Sequence, residues 1–256
     1  MLKSTFLLFA ICASSLIWSQ THSKDKKFSI GLNFSPNLCF RTLPVEDTLN
    51  SYLNSHYQDL RNLREKRKLG FCSGIDIKWW MSQHFSLKSG LFYANDGYQA
   101  RDIYWQDDQG IYNEGRSDIR YNFHFVKVPI KIEFNQSIKK FNFYISMGLS
   151  VDYLLKNQMR VELDYYDHIP KEKETFFLDR SNEPFWLYPG DAPTTTSKWY
   201  LSSLASFGIE YNLTPSLGIR LEPNISYGVS STFEAPIKEY LYSGGVNFGI
   251  VYTFLD

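Results

Sequence analysis

The sequence has little with which to build a metal or redox site: 256 residues hold three cysteines, five histidines and four methionines. His22, His56, His84, His124 and His168 are scattered, and no two stand at metal-ligand spacing. There is no glycine-rich phosphate loop, since apart from Gly244-Gly245 the glycines occur singly, at positions that packing explains. No catalytic, cofactor or metal site is therefore predicted. Charge of one sign is not in excess either, with 27 Lys and Arg against 27 Asp and Glu, which argues against nucleic acid as a partner. Long apolar runs are missing after the first few residues. The run formed by Phe6 to Ile11 with Leu16 and Ile17 is too short for a helical span, which needs about 20 residues. With Lys3 ahead of it and the small Ser19 at its end, it reads as a signal peptide over 1–19, leaving a mature domain over 20–256. Cys12 lies inside this run in a poor lipid-attachment context. Because no later stretch approaches a helical span, membrane insertion would have to use a closed barrel.

What the sequence does have is aromatic residues, at 17%, and alternation. Phe28, Ile30, Leu32 and Phe34 alternate with Ser29, Gly31 and Asn33, and period two places the two sets on opposite faces of a strand. The same pattern recurs over 71–80, 85–93, 119–134, 141–155, 199–213, from Leu217 to Ile225, and over 244–254. The clearest is 141–155, where Phe141, Phe143, Ile145, Met147, Leu149, Val151 and Tyr153 oppose Asn142, Tyr144, Ser146, Gly148, Ser150 and Asp152. Pro129 within the fourth strand cannot donate to a ladder and predicts a bulge or local break. Short links at 81–84, 135–140 and 214–216 alternate with long ones at 35–70, 94–118, 156–198 and 229–243. Long links all on one side, an even strand count and both termini at the short-turn end predict an all-β fold. It is an eight-stranded antiparallel up-and-down transmembrane β-barrel with long extracellular loops, in the cell outer membrane.

A soluble ligand-binding barrel shares this strand pattern with inverted polarity. The polar face decides between them. It carries Lys78, Lys88, Lys127, Lys131 and Arg220 against Asp76, Glu133, Asp152, Glu210 and Glu222, together with several glycines. Matched charges and small residues suit a narrow lumen, where an unpaired charge would be desolvated at high cost. The charged face is thus expected to point inward as an ion-pair network, and eight strands leave an interior that side chains fill. Cys39 and Cys72 fall towards the same end of neighbouring strands, so a disulfide is left open.

Three runs carry a family likeness: Lys26-Lys27-Phe28-Ser29-Ile30-Gly31-Leu32-Asn33-Phe34, Phe125-Val126-Lys127-Val128-Pro129-Ile130-Lys131-Ile132, and Tyr144 through Leu155. In these the chain resembles the PorT-like outer-membrane β-barrel family of Bacteroidetes-type bacteria. The resemblance implies a Gram-negative outer-membrane barrel and no catalytic residues. The family's namesake is an accessory protein of type IX secretion, so an envelope or secretion complex is an expected partner. The chain end resembles the signal read by the barrel-assembly machinery, with Asn247, Gly249, Tyr252 and Phe254 at its polar, glycine and aromatic positions. Leu255 and Asp256 depart from that pattern by following the last aromatic.

Two features of the long links suggest contact with something outside. Leu49, Tyr52, Leu53, His56, Leu60 and Leu63 recur at helical spacing, followed by Arg61, Arg64, Lys66, Arg67 and Lys68. That pattern predicts an amphipathic helix with a basic end suited to outer-membrane lipid phosphates. Tyr165, Tyr166, Phe185, Trp186 and Tyr188, with Phe176 and Phe177, form a candidate recognition surface. The leading expectation is a non-enzymatic structural or accessory barrel. A small lipid-modifying enzyme is the contrasting one, for which His124 is the candidate, although Val126 stands where a nucleophilic serine would be sought.

Overall fold

The computed structural model describes residues 26–42, 65–105, 115–165, 174–179, 195–234 and 238–255. Eight long strands close on one another: β1 Lys26–Thr42, β2 Lys68–Trp80, β3 Phe85–Trp105, β4 Gly115–Ile138, β5 Phe141–Tyr165, β6 Trp199–Asn212, β7 Leu217–Gly228 and β8 Tyr240–Leu255. Each pairs antiparallel with its neighbours in sequence, and β8 returns to β1, with Leu32 opposite Ile250. This is an up-and-down barrel without a free edge along its wall.

The wall forms because each strand alternates large apolar with small or polar side chains. On β5, Ile145, Met147, Leu149 and Val151 are exposed outward while Tyr144, Ser146, Ser150 and Asp152 are buried inside. The exposed apolar side chains on all eight strands make a continuous band suited to acyl chains. Aromatic pairs edge the band, among them Phe85–Phe134 at 5.4 Å and Phe141–Tyr211 at 5.0 Å near the short turns. Phe71–Tyr93 at 5.9 Å and Tyr153–Trp199 at 4.8 Å lie towards the other rim.

The connections differ from expectation in extent. The link between β4 and β5 is only Lys139 and Lys140, because Lys139 takes a left-handed φ of 56° and lets two residues reverse the chain. On the opposite side, much of what reads as loop is strand. β1 continues to Thr42, β3 to Trp105 and β5 to Tyr165, so β3, β4 and β5 rise past the band as one sheet. Two further short strands widen this sheet. Glu65–Lys66 pairs with β3, and Glu174–Asp179 pairs with β5, where Arg160 faces Phe177. Thr195–Thr196 and Phe233–Glu234 form a separate small ladder.

Pro129 interrupts pairing without bulging. Between β3 and β4, Ser89 faces Ile130 and Phe92 faces Lys127, with the two intervening pairs lost and the register unchanged. On its other side Pro129 pairs normally with Ser150. The same one-sided gap occurs at Pro36 between β1 and β8 and at Pro223 between β6 and β7. Each is what one absent N–H produces. The chain shifts register elsewhere, between Ala100 and Ile103 and between His124 and Phe125.

Candidate functional site

All ten charges of the alternating polar face lie inside the barrel. Eight of them meet near the short-turn end as one network of four cations and four carboxylates. Lys78 Nζ is 2.8 Å from Glu133 and 3.8 Å from Glu210, and Lys88 Nζ is 2.7 Å from Glu133 and 3.0 Å from Glu222. Lys131 Nζ lies 2.7 Å from Glu222, while Arg220 reaches Asp76 at 2.5 Å and Glu210 at 3.6 Å. Tyr144 anchors the centre. Its hydroxyl donates to Glu222 at 2.8 Å, and its ring faces Lys78 at 4.8 Å and Lys88 at 5.1 Å. Ser206 also donates to Glu222, at 2.6 Å. With Tyr144 included, the network therefore ties β2, β3, β4, β5, β6 and β7 through the middle of the barrel, and low dielectric makes each pair depend on the others.

Above it, small polar side chains leave a cavity of about 100 Å³ whose lining includes Ser35, Asn37, Cys72, Pro129, Ser150, Asn224 and Asn247. Its roof is a second group, in which Lys127 Nζ is 2.6 Å from Asp96 and 3.7 Å from Asp152. Lys68 joins it by donating to Asn95 Oδ1 at 2.6 Å and to the Asp96 carbonyl at 2.8 Å. Next comes an apolar plug of Ala94, Phe123, Phe125, Leu154, Tyr98 and Tyr200, with Phe125 edge-on to Tyr200 at 5.0 Å. At the outer rim Arg41 pairs with Glu65 and, at 2.5 Å, with Glu239, and lies 4.0 Å over the Tyr98 ring. Burial opposes the Arg41 charge, but Tyr98 and Glu239 more than offset it and hold its pKa above the ordinary arginine value.

Asp96, Lys68, Arg41, Glu65 and Glu239 were not legible as lumen groups. Asp96 could have been found by carrying the alternation of Ser86, Lys88 and Gly90 beyond Tyr93. Lys68 is a correction: the basic run assigns it to a loop surface, whereas it is buried inside β2. Lys66 is likewise on a short strand, not at the end of a helix, and the apolar stripe Leu49 to Leu63 lies outside the described residues.

Other sequence candidates are placed as follows. Asn247 and Gly249 face inward on β8, where Asn247 donates to Asn33 Oδ1 at 3.1 Å; Tyr252 and Phe254 point outward with rings 5.0 Å apart. Tyr165 ends β5, while Tyr166, Phe185, Trp186 and Tyr188 lie outside the described residues. His124 accepts or donates a 2.6 Å bond to the Tyr93 hydroxyl. Both cysteines are free, and register separates them, since Cys39 faces Lys68 whereas Cys72 faces Ser35. Among the described residues no cluster of His, Cys, Asp or Glu could hold a metal ion.

An apolar outer wall, a charge-filled interior and long links at one end together define an outer-membrane β-barrel protein. The chain belongs to the family described as outer membrane protein beta-barrel domain, which matches residues 18–234. Its place is the outer membrane. Among solved structures it is similar to Neisserial surface protein A, with 11% identity, a TM-score of 0.44, and coverage of 89% of this chain and 97% of that one. It is also similar to OprG from Pseudomonas aeruginosa, at 8% identity, a TM-score of 0.41, and coverage of 92% and 100%. The protease OmpT from Escherichia coli is another, at 10% identity, a TM-score of 0.35, and coverage of 93% and 99%. No function is carried over from them. No curated protein matches the sequence.

Proposed function

We propose that this is a non-enzymatic accessory barrel of the cell envelope, acting through the sheet it raises above the membrane and the links attached to that sheet. One observation carries the reading. The lumen is filled at successive levels by ion pairs, an apolar plug and the Arg41 cluster, while β3, β4 and β5 run on for many residues beyond the apolar band. A barrel closed inside and tall outside is built to be held in the membrane and touched from above. Tyr165 at the end of β5, with Tyr166, Phe185, Trp186 and Tyr188 in the link that follows, would make that contact.

The finer affiliation, to PorT-like barrels of Bacteroidetes-type bacteria and to a secretion or envelope-assembly complex, rests on the sequence runs on β1, β4 and β5. On this reading residues 1–19 are removed on export, and the barrel-assembly machinery reads Asn247, Gly249, Tyr252 and Phe254. The ten lumen charges serve closure and stability rather than transport.

The test joins two measurements on the full barrel. In planar bilayers it should show no stable open-channel current, and purification from mild detergent should retain a stoichiometric envelope partner that is lost when 166–194 is shortened. A steady conductance would overturn the closed-barrel reading. An altered lipid A mass spectrum on gene deletion would instead favour the lipid-modifying enzyme.

A further inference from the structure

At the outer rim the wall carries two cations, Lys66 and Arg67, that the lumen's ion pairs do not use. Leu38 on β1 and Leu69 on β2 are outward and exposed, Leu69 to 73%, and end the aliphatic surface there. One step above them the chemistry changes. The Arg67 guanidinium lies 4.9 Å over the Phe40 ring, and Phe40 stacks on Tyr242 at 4.9 Å with 5° between their planes. Gln99 Nε2 donates to the Arg67 carbonyl at 2.7 Å and fixes the backbone where the short strand meets β2. Lys66, opposite Gln99, stands beside Arg67. The neighbouring carboxylate, Glu65, is turned inward onto Arg41. Among the described residues Lys66 and Arg67 have no acidic partner, and both are exposed at the rim, on a cleft of about 580 Å³ whose inner side is the Arg41, Glu65 and Tyr98 group.

We propose that Lys66 and Arg67, on the Phe40–Tyr242 shelf, bind the phosphate of a phosphorylated glycolipid in the outer leaflet. The inference stands on the outer-membrane placement and not on the accessory role. An amphiphile's phosphate lies where acyl chains end, which is the height at which Leu38 and Leu69 give way to the shelf. A guanidinium in cation–π contact with Phe40 can offer paired N–H donors to two phosphate oxygens, a fit that a flexible ammonium complements but does not replace. Basic groups at an anionic surface gain further from the interfacial potential. The acyl chains of the same lipid would then lie along Leu38 and Leu69.

The purified barrel in detergent is presented with bisphosphorylated lipid A, and with the same lipid after dephosphorylation, and bound lipid is read by native mass spectrometry. The paired variant Lys66→Gln and Arg67→Gln should hold the phosphorylated lipid roughly tenfold more weakly. Lys139→Gln with Lys140→Gln, exposed at the opposite end, should bind as the wild type does. Heat-modifiable migration shows that each variant is folded. Equal retention of the two lipids by the wild type, or unchanged binding by the Lys66 and Arg67 variant, overturns the proposal. Displacement of the lipid by inorganic phosphate overturns it in favour of a free-anion site.

Discussion

Glycine at 208 is required by what stands opposite it. A Cβ there would fall inside the Tyr144 ring, which Glu222, Lys78 and Lys88 hold in place. Gly208→Ala is therefore expected to lower the unfolding free energy by about 1–3 kcal/mol, as overpacking does. Gly244 is the contrast, because a Cβ there meets nothing nearer than 3.9 Å. Gly244→Ala should stay within about 0.5 kcal/mol of the wild type. Urea unfolding in lipid vesicles separates the two, and equal losses would show that the Tyr144 contact does not set the cost. The sequence sets Gly208 among the polar positions with Ser206 and Glu210, and Gly244 among the apolar ones with Val246 and Phe248, but it does not show the ring that stands over Gly208.

At the level of the strand, proline leaves the wall intact but incomplete. Pro36, Pro129 and Pro223 each cost pairing on one side only, and the register on both sides of each gap is the same. The cause is the absent donor, so supplying one should close the gap. In Pro223→Ala the new amide of residue 223 is expected to be strongly protected from hydrogen exchange by the Phe207 carbonyl, with no shift of neighbouring pairs. Rapid exchange at that amide would mean that the strands are held apart by something other than proline. The sequence shows where the N–H is missing. Which neighbour it faces is a matter of register, and so of structure.

At the scale of the whole molecule, the ion network acts as an internal tie between strands that are far apart in sequence. Arg220 on β7 is the partner of both Asp76 on β2 and Glu210 on β6. Arg220→Met would leave two buried carboxylates short of their cation, at a cost of about 3–5 kcal/mol. Adding Asp76→Asn and Glu210→Gln should recover part of that loss, because neutral side chains no longer need the missing charge. A triple variant no more stable than the single one would mean that Arg220 contributes by packing and not by charge.

The sequence by itself determined the barrel. Period-two alternation fixes which side chains share a face, and turn residues fix where strands reverse, so eight strands, an apolar outer wall and an inward set of charges follow from local chemistry. It also bounded chemistry, since histidines and cysteines are too few and too scattered for an evident site. Strand length was less legible: in β5 Met159, Val161 and Leu163 still alternate with Arg160, Glu162 and Asp164 but fall in a stretch read as a long link, and in β3 the run from Asn95 to Trp105 has no clear period two. Only the tertiary structure decided the pairing of charges. Lys88 and Glu222 are 134 positions apart and meet because strand stagger brings their heights together. The same stagger turned Lys68 inward and left Lys66 and Arg67 outside. Burial and partnership depend on what closes around a residue, and closure is a property of the whole ring.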